Sequence, residues 1–367
     1  MSDQSALVPK PGIMDIALYV SGEAKIAGHD HVLKLSANEN PHGCSPAAQA
    51  AFEAAATALN RYPATDHGPL RAAIGQVHGL DPERIICGVG SDEVLQFAMQ
   101  AFVGAGDEAI ITRHGFSMYP ILARAVGAVP VIVEERDRRV DVDAILAAVT
   151  DRTRVVFVTN PGNPTGTMLD SAALDRLAAA LPPHILLIHD GAYMEFAGCD
   201  DPGIALADAY PNVLATRTFS KIYGLGGLRI GWGYAQRPLI EVLARIRQPF
   251  NLSNAQMDAA QAAVLDRDFT AFCRDENARL RDFLRQSLVQ MGIGCDESHA
   301  NFVLARFAST EQARRCDAAL REAGILVRRV DGYHLPDCLR ITIGTEDDCR
   351  RLIDTIGGFM AHERGAE

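Results

Sequence analysis

Residues 218–229 read Thr218-Phe219-Ser220-Lys221-Ile222-Tyr223-Gly224-Leu225-Gly226-Gly227-Leu228-Arg229. They follow a short apolar run, Val213–Thr216, that reads as a strand. A lysine behind a hydroxyl pair, then a glycine-dense loop, then an arginine is a demanding arrangement. A lysine amine that is desolvated or placed near other cations loses its proton and can form a Schiff base. Neighbouring hydroxyls and an arginine suit a phosphate. The plainer alternative is a flexible surface loop with an incidental lysine.

Three further stretches have the same placement at a strand's end. Asn160-Pro161-Gly162-Asn163-Pro164-Thr165-Gly166 follows Val155–Val158, where open α/β sheets bind ligands, although a Pro/Gly turn needs no ligand. Asp190-Gly191-Ala192-Tyr193 follows Ile185–Ile188. Its carboxylate suits a cofactor's ring nitrogen, or simply a helix cap. Gly88-Val89-Gly90-Ser91-Asp92-Glu93 opens a helix over Ser91–Phe102, with Ser91 as N-cap and two acids in the first turn. Such a turn offers backbone N–H groups to an anion.

The stretches around them alternate in character. Pro69–His78 reads as a helix, and Arg84–Cys87, Ala109–Ile111 and Val129–Val133 as strands. That alternation predicts an α/β sheet, mainly parallel and covered on both faces. After Leu252 the pattern changes. Asn254–Met291 reads as helices, then Ala300–Phe307, Ile325–Arg328 and Leu339–Ile343 as strands of a smaller α+β unit. The expected division is a large unit over residues 36–260. A small unit takes residues 1–35, the N-terminal arm, together with 261–367.

Composition excludes several classes. The chain has 367 residues and a formal net charge of −11, the opposite of a nucleic-acid binder's basic footprint. Its eight cysteines form no C-x-x-C pair, which argues against zinc or a disulfide framework and for a reducing, cytoplasmic setting. No metal site is expected. No apolar run reaches the ~18 residues of a membrane span, and Met1–Gly12 lacks the features of a signal peptide.

The four strand-end motifs, in this order, resemble those of the fold-type I pyridoxal-phosphate enzymes. Leu35-Ser36-Ala37-Asn38-Glu39-Asn40-Pro41, Arg61-Tyr62-Pro63 and Leu339-Arg340-Ile341-Thr342-Ile343-Gly344-Thr345 extend the likeness over nearly the whole chain. It is greatest to the class-II-type aminotransferases, and among them to the histidinol-phosphate aminotransferase family of histidine biosynthesis. The resemblance implies that Lys221 holds pyridoxal 5'-phosphate and moves the substrate proton. Asp190 pairs with the ring nitrogen, Tyr193 and Asn163 bond the ring's phenolic oxygen, and Phe116 stacks on the ring. Gly90, Ser91, Thr218, Ser220 and Arg229 surround the phosphate, and Asp92 is a further cofactor-binding residue. Tyr62 reaches the cofactor phosphate of a neighbouring subunit, so a homodimer is implied. Tyr19, Asn38, Arg328 and Arg340 would bind the substrate.

The implied reaction moves an amino group between a small-molecule donor and 2-oxoglutarate, with histidinol phosphate the expected donor. Rivals are an aromatic amino acid aminotransferase, a threonine-phosphate decarboxylase, and a pyridoxal-phosphate-fold ligand sensor. The sensor is disfavoured because no basic DNA-binding domain precedes Asn38. Three positions depart from the family pattern: Phe116 for a tyrosine, Gly191 for a glutamate and Val89 for an asparagine. Most histidines read as structural or surface residues, whereas His114 could line the substrate entrance. Glu134–Arg139 reads as a solvated loop between strands, and Trp232 and Tyr234 as packed core.

Overall fold

A computed structural model describes residues 8–18, 23 and 25–365. Tyr19 lies outside the described residues. The strands are β1 (Leu33–Lys34), β2 (Ile85–Gly88), β3 (Glu108–Thr112), β4 (Val129–Val133), β5 (Thr153–Thr159), β6 (Leu186–Asp190), β7 (Val213–Thr218), β8 (Gly231–Ala235), β9 (Gly294–Cys295), β10 (Phe302–Arg306), β11 (Ile325–Leu326), β12 (Arg328–Val330) and β13 (Leu335–Thr342).

The large sheet runs β2-β8-β7-β6-β5-β3-β4. Its pairs are parallel except that β8 is antiparallel to both neighbours. The apolar runs fit this position: Val155, Val156, Phe157 and Val158 are all buried, because both faces of the sheet are covered. Helix Gly90–Phe102 covers one face through Val94, Leu95, Ala98 and Met99. Helices Ser171–Ala180 and Pro202–Ala209 cover the other through Leu174, Leu177, Leu206 and Ala207. Trp232 and Tyr234 are core residues on β8, as expected.

The C-terminal part holds an antiparallel sheet, β12-β13-β10-β9, and a parallel pair, β1-β11. A second core joins Leu280, Leu284 and Leu288 of helix Arg267–Gln290 to Leu35, Val303 and Ile341. The long helical stretch is broken at Asp266, whose side chain caps the second helix by accepting from the Phe269 N–H.

Three sequence expectations need correction. The helix expected over Ser91–Phe102 begins at Gly90, with Val89 in the N-cap position. Glu93 takes over the capping, its Oε2 accepting from the Val89 N–H at 2.7 Å, and Ser91 is left to line a cleft. Ile325–Arg328 is two strands in two sheets, because Ile325–Leu326 follows β1 while Arg328 pairs with β13. Glu134–Arg139 joins β4 to helix Val142–Ala147 rather than to a strand. Nor is it wholly solvated: Arg138 makes a two-point ion pair with Asp296, 158 residues away. Charge composition alone could not reveal that partner.

The parallel register sets the working edge. Thr159 pairs with Asp190, and Asp190 with Thr216, so the C-terminal ends of β5, β6 and β7 converge. Gly231 on β8 closes that edge. A Cβ there would overlap the backbone of Gly90 and Ser91, so only glycine lets the helix N-terminus sit so tightly against the strand.

Candidate active site

A cleft of about 330 Å³ opens at this edge. Thirteen of the sixteen residues singled out from the sequence line it: Asn38, Ser91, Asp92, Phe116, Asn163, Asp190, Tyr193, Thr218, Ser220, Lys221, Arg229, Arg328 and Arg340. Gly90 stands just behind, and an added Cβ would meet Arg229 Nη2 at 2.7 Å. Tyr62 is 80% exposed and lies outside the cleft of its own chain.

Lys221 sits in the cleft with Nζ 3.4 Å from the Ala37 carbonyl oxygen. Burial, aided by the nearby Arg340 and Arg229 charges, lowers its amine to about 8. Near neutral pH a usable fraction is therefore neutral and nucleophilic.

Asp190 is buried at the end of β6. It accepts from the Tyr119 hydroxyl at 2.7 Å and the Ala192 N–H at 3.2 Å. Burial pushes its carboxyl above the usual range, while the Tyr119 hydrogen bond pulls it back. A carboxylate held there calls for a cationic partner, and a protonated pyridine nitrogen is one.

A cup for an anion lies beside the lysine. Arg229 Nη1 donates to Ser220 Oγ at 3.0 Å and its Nη2 to Asp92 Oδ2 at 3.1 Å, while Thr218 Oγ1 accepts from the Ser220 N–H. The N-terminus of helix Gly90–Phe102 faces the same place. Arg229 has φ +54°, a left-handed conformation that costs a non-glycine residue about 1–2 kcal/mol.

On the other side, Asn38 Nδ2 donates to the Tyr193 hydroxyl at 2.9 Å. Arg340 is clamped by Asn163 Oδ1 at 2.6 Å and the Ser36 carbonyl at 2.8 Å. Arg328 is its register partner across β12 and β13. Among the residues brought together here, an aldehyde-bearing ring with a phosphate arm has a lysine, a carboxylate, an aromatic face and an anion cup. The donor set thus fits pyridoxal 5'-phosphate.

Residues 30–356 match the family described as Aminotransferase class I and II. The chain belongs to that family. The aminotransferase is 62% identical over 351 residues to the histidinol-phosphate aminotransferase of Ruegeria pomeroyi, covering 96% of this chain and 97% of that one. It is 59% identical to the enzyme of the same name from Dinoroseobacter shibae, with 97% and 98% covered. Its fold superposes on the histidinol-phosphate aminotransferase of Sinorhizobium meliloti, solved in complex with pyridoxal 5'-phosphate, with a TM-score of 0.89. Identity there is 28%, with 98% of this chain and all of that one covered. The aminotransferase thus has the fold-type I architecture that its motifs suggested.

The sequence reading did not single out Tyr119, Thr159, Lys34 or Tyr333. Tyr119 holds Asp190 and also contacts Thr159 Oγ1, while Lys34 and Tyr333 line the cleft. No local signal marks them, because their partners come from distant elements. The Gly191 departure has a physical counterpart. A Cβ at Gly191 would overlap the guanidinium of Arg217, which is buried near Glu195 and paired with Asp201. Burial raises the Glu195 carboxyl to about 7.

Gly224 fixes the lysine loop against the N-terminal segment. It has φ +68°, and a Cβ would overlap the Gly43 carbonyl, a backbone group with no room to yield. Gly224→Ala should cost at least about 2 kcal/mol in urea unfolding. Gly227→Ala, where a Cβ meets nothing within 4 Å, should stay within about 0.5 kcal/mol. Equal effects at the two positions would contradict this docking.

Proposed function

We propose that this aminotransferase uses pyridoxal 5'-phosphate to move the amino group of histidinol phosphate to 2-oxoglutarate in histidine biosynthesis. The observation that carries the donor is Arg328 facing Arg340 in register on the wall of the cleft that holds Lys221. The curated relatives bearing that enzyme's name support it.

Arg229, Ser220, Thr218, Gly90 and the Ser91 and Asp92 backbone would hold the cofactor phosphate, and Phe116 would cover the ring. Asp190 would face the ring nitrogen, and Tyr193 and Asn163 the phenolic oxygen. The cofactor supplies an electron-accepting ring that stabilises negative charge at the substrate carbon. Lys221 would anchor it and, once its amine is free, accept the proton from that carbon. An amine poised near 8 suits this task. Tyr119 keeps Asp190 oriented.

A homodimer is part of this reading. Tyr62 and Phe250 are exposed and in ring contact at 4.6 Å, an apolar surface suited to a second copy. In that arrangement Tyr62 serves the partner's cleft. The eight cysteines are all free, which suits the cytoplasm. Among the described residues no helix is long and apolar enough to cross a membrane.

The test is donor selectivity. A phosphate gains about 1.5–3 kcal/mol from a charge-assisted bond to Arg328; a phenyl ring gains nothing comparable. Arg328→Ala should lower kcat/KM for histidinol phosphate about 10- to 100-fold and leave that for phenylalanine nearly unchanged. An unchanged ratio of the two would move the reading to an aromatic amino acid aminotransferase. Carbon dioxide release from threonine phosphate would move it to a decarboxylase.

A further inference from the structure

The two walls of the cleft are tied together outside the cofactor site. His114 Nδ1 lies 2.7 Å from the Tyr333 carbonyl oxygen, and Ser117 Oγ lies 3.3 Å from the Tyr333 hydroxyl. Residues 114–117 form the loop that carries Phe116, whereas Tyr333 belongs to the short turn Asp331–Tyr333 between β12 and β13. These contacts span 219 and 216 residues of sequence.

The hairpin is shaped to make this contact. Its register shifts between Arg329 and Val330, and His334 takes φ +60° just after the turn. A short turn closed by a left-handed residue is a common way to join two antiparallel strands, and histidine is among the non-glycine residues that accept that conformation. Here Val330, Leu335 and Leu304 pack with Tyr333 in a small separate core. The irregular turn brings Tyr333 to the cleft wall, which it lines together with Phe116 and Arg328.

Both arginines lie on the two strands that this turn joins. Arg340 is buried and clamped by Asn163 and the Ser36 carbonyl. Arg328 sits on β12, a three-residue strand that runs directly into the bulge and the turn. Whatever fixes the turn also fixes the end of β12 relative to Phe116.

We propose that His114 and Ser117 latch the Phe116 loop to Tyr333, and that this latch sets the gap between Phe116 and Arg328. His114 and Tyr333 are then positioning residues that select the length of an anionic donor. The inference rests on the reading of Arg328 as an anion ligand. For the bond to form, the His114 ring carries its proton on Nδ1, since the carbonyl can only accept.

The experiment is steady-state kinetics of the holoenzyme with histidinol phosphate and with phenylalanine, alongside spectrophotometric titration of pyridoxal phosphate. His114→Ala should raise KM for histidinol phosphate about 5- to 20-fold, with kcat within about twofold. KM for phenylalanine and the affinity for pyridoxal phosphate should not move. Tyr333→Phe, which loses only the hydroxyl, should show a smaller effect of the same kind. His114→Asn presents an amide donor where Nδ1 stood and should restore most of the loss. Two results overturn the latch: an unchanged KM for histidinol phosphate in His114→Ala, or equal losses for both donors with weakened cofactor binding. Arg328→Ala separates the two readings. If it changes donor selectivity and His114→Ala does not, the latch alone fails. If neither does, the donor reading fails with it.

Discussion

Lys221→Ala is expected to lose at least about four powers of ten in transamination rate while keeping its fold. On the proposed reading two functions would disappear together: the covalent hold on the cofactor and the amine that accepts the substrate proton. Proton transfer alone accounts for about two to four powers of ten, and loss of the nucleophile adds to it. Stability should move the other way. Burial lowers the Lys221 amine to about 8, below its unfolded value, so the buried ammonium disfavours the folded state below that pH. The penalty fades as pH rises through about 8 toward the unfolded value. Thermal melting of the cofactor-free protein at pH 7 should therefore give a Tm for Lys221→Ala no lower than that of the unaltered chain. The unaltered chain should gain on it as pH is raised from 7 to 10. A clearly lower Tm would mean that Lys221 holds the fold together.

Asp190→Asn is the second large effect, expected at about two to four powers of ten in kcat/KM. Asparagine keeps the shape and removes the charge that would stabilise a protonated ring nitrogen. Burial already pushes the Asp190 carboxyl up, so its ionised form weakens the fold of the cofactor-free protein at neutral pH. The substitution should leave the Tm of that protein equal or higher. A combination of near-unaltered turnover with lowered stability would assign Asp190 to structure instead of chemistry. Tyr119 should share part of the effect through its 2.7 Å bond to Asp190.

The parts of this site that were legible in the sequence are local. Lys221, Asp190, Asn163 and Ser91 each follow a short apolar run within a few residues, and parallel strands bring such ends to one edge. The family resemblance added Phe116, Arg328 and Arg340, all of which line the same cleft. What escaped the sequence depends on long-range geometry. Tyr119 meets Asp190 across 71 residues, and Arg138 meets Asp296 across 158. The start of the helix at Gly90 escaped for a different reason. Ser91 is a good cap by type, but Glu93 reaches the Val89 N–H first, and glycine at φ +74° lets the turn begin one residue earlier. Position 191 holds glycine where the resembling family has glutamate, and the volume beside Gly191 belongs to Arg217, which no local pattern foretold.

The central claim is that Lys221 carries the cofactor. Borohydride reduction of the purified holoenzyme, followed by proteolysis and mass spectrometry, tests it most directly. The expected result is a single phosphopyridoxyl adduct on the peptide containing Lys221, formed with loss of the visible absorbance band. An adduct confined to Lys34 or any other lysine, or no adduct on a protein that still transaminates, would contradict it.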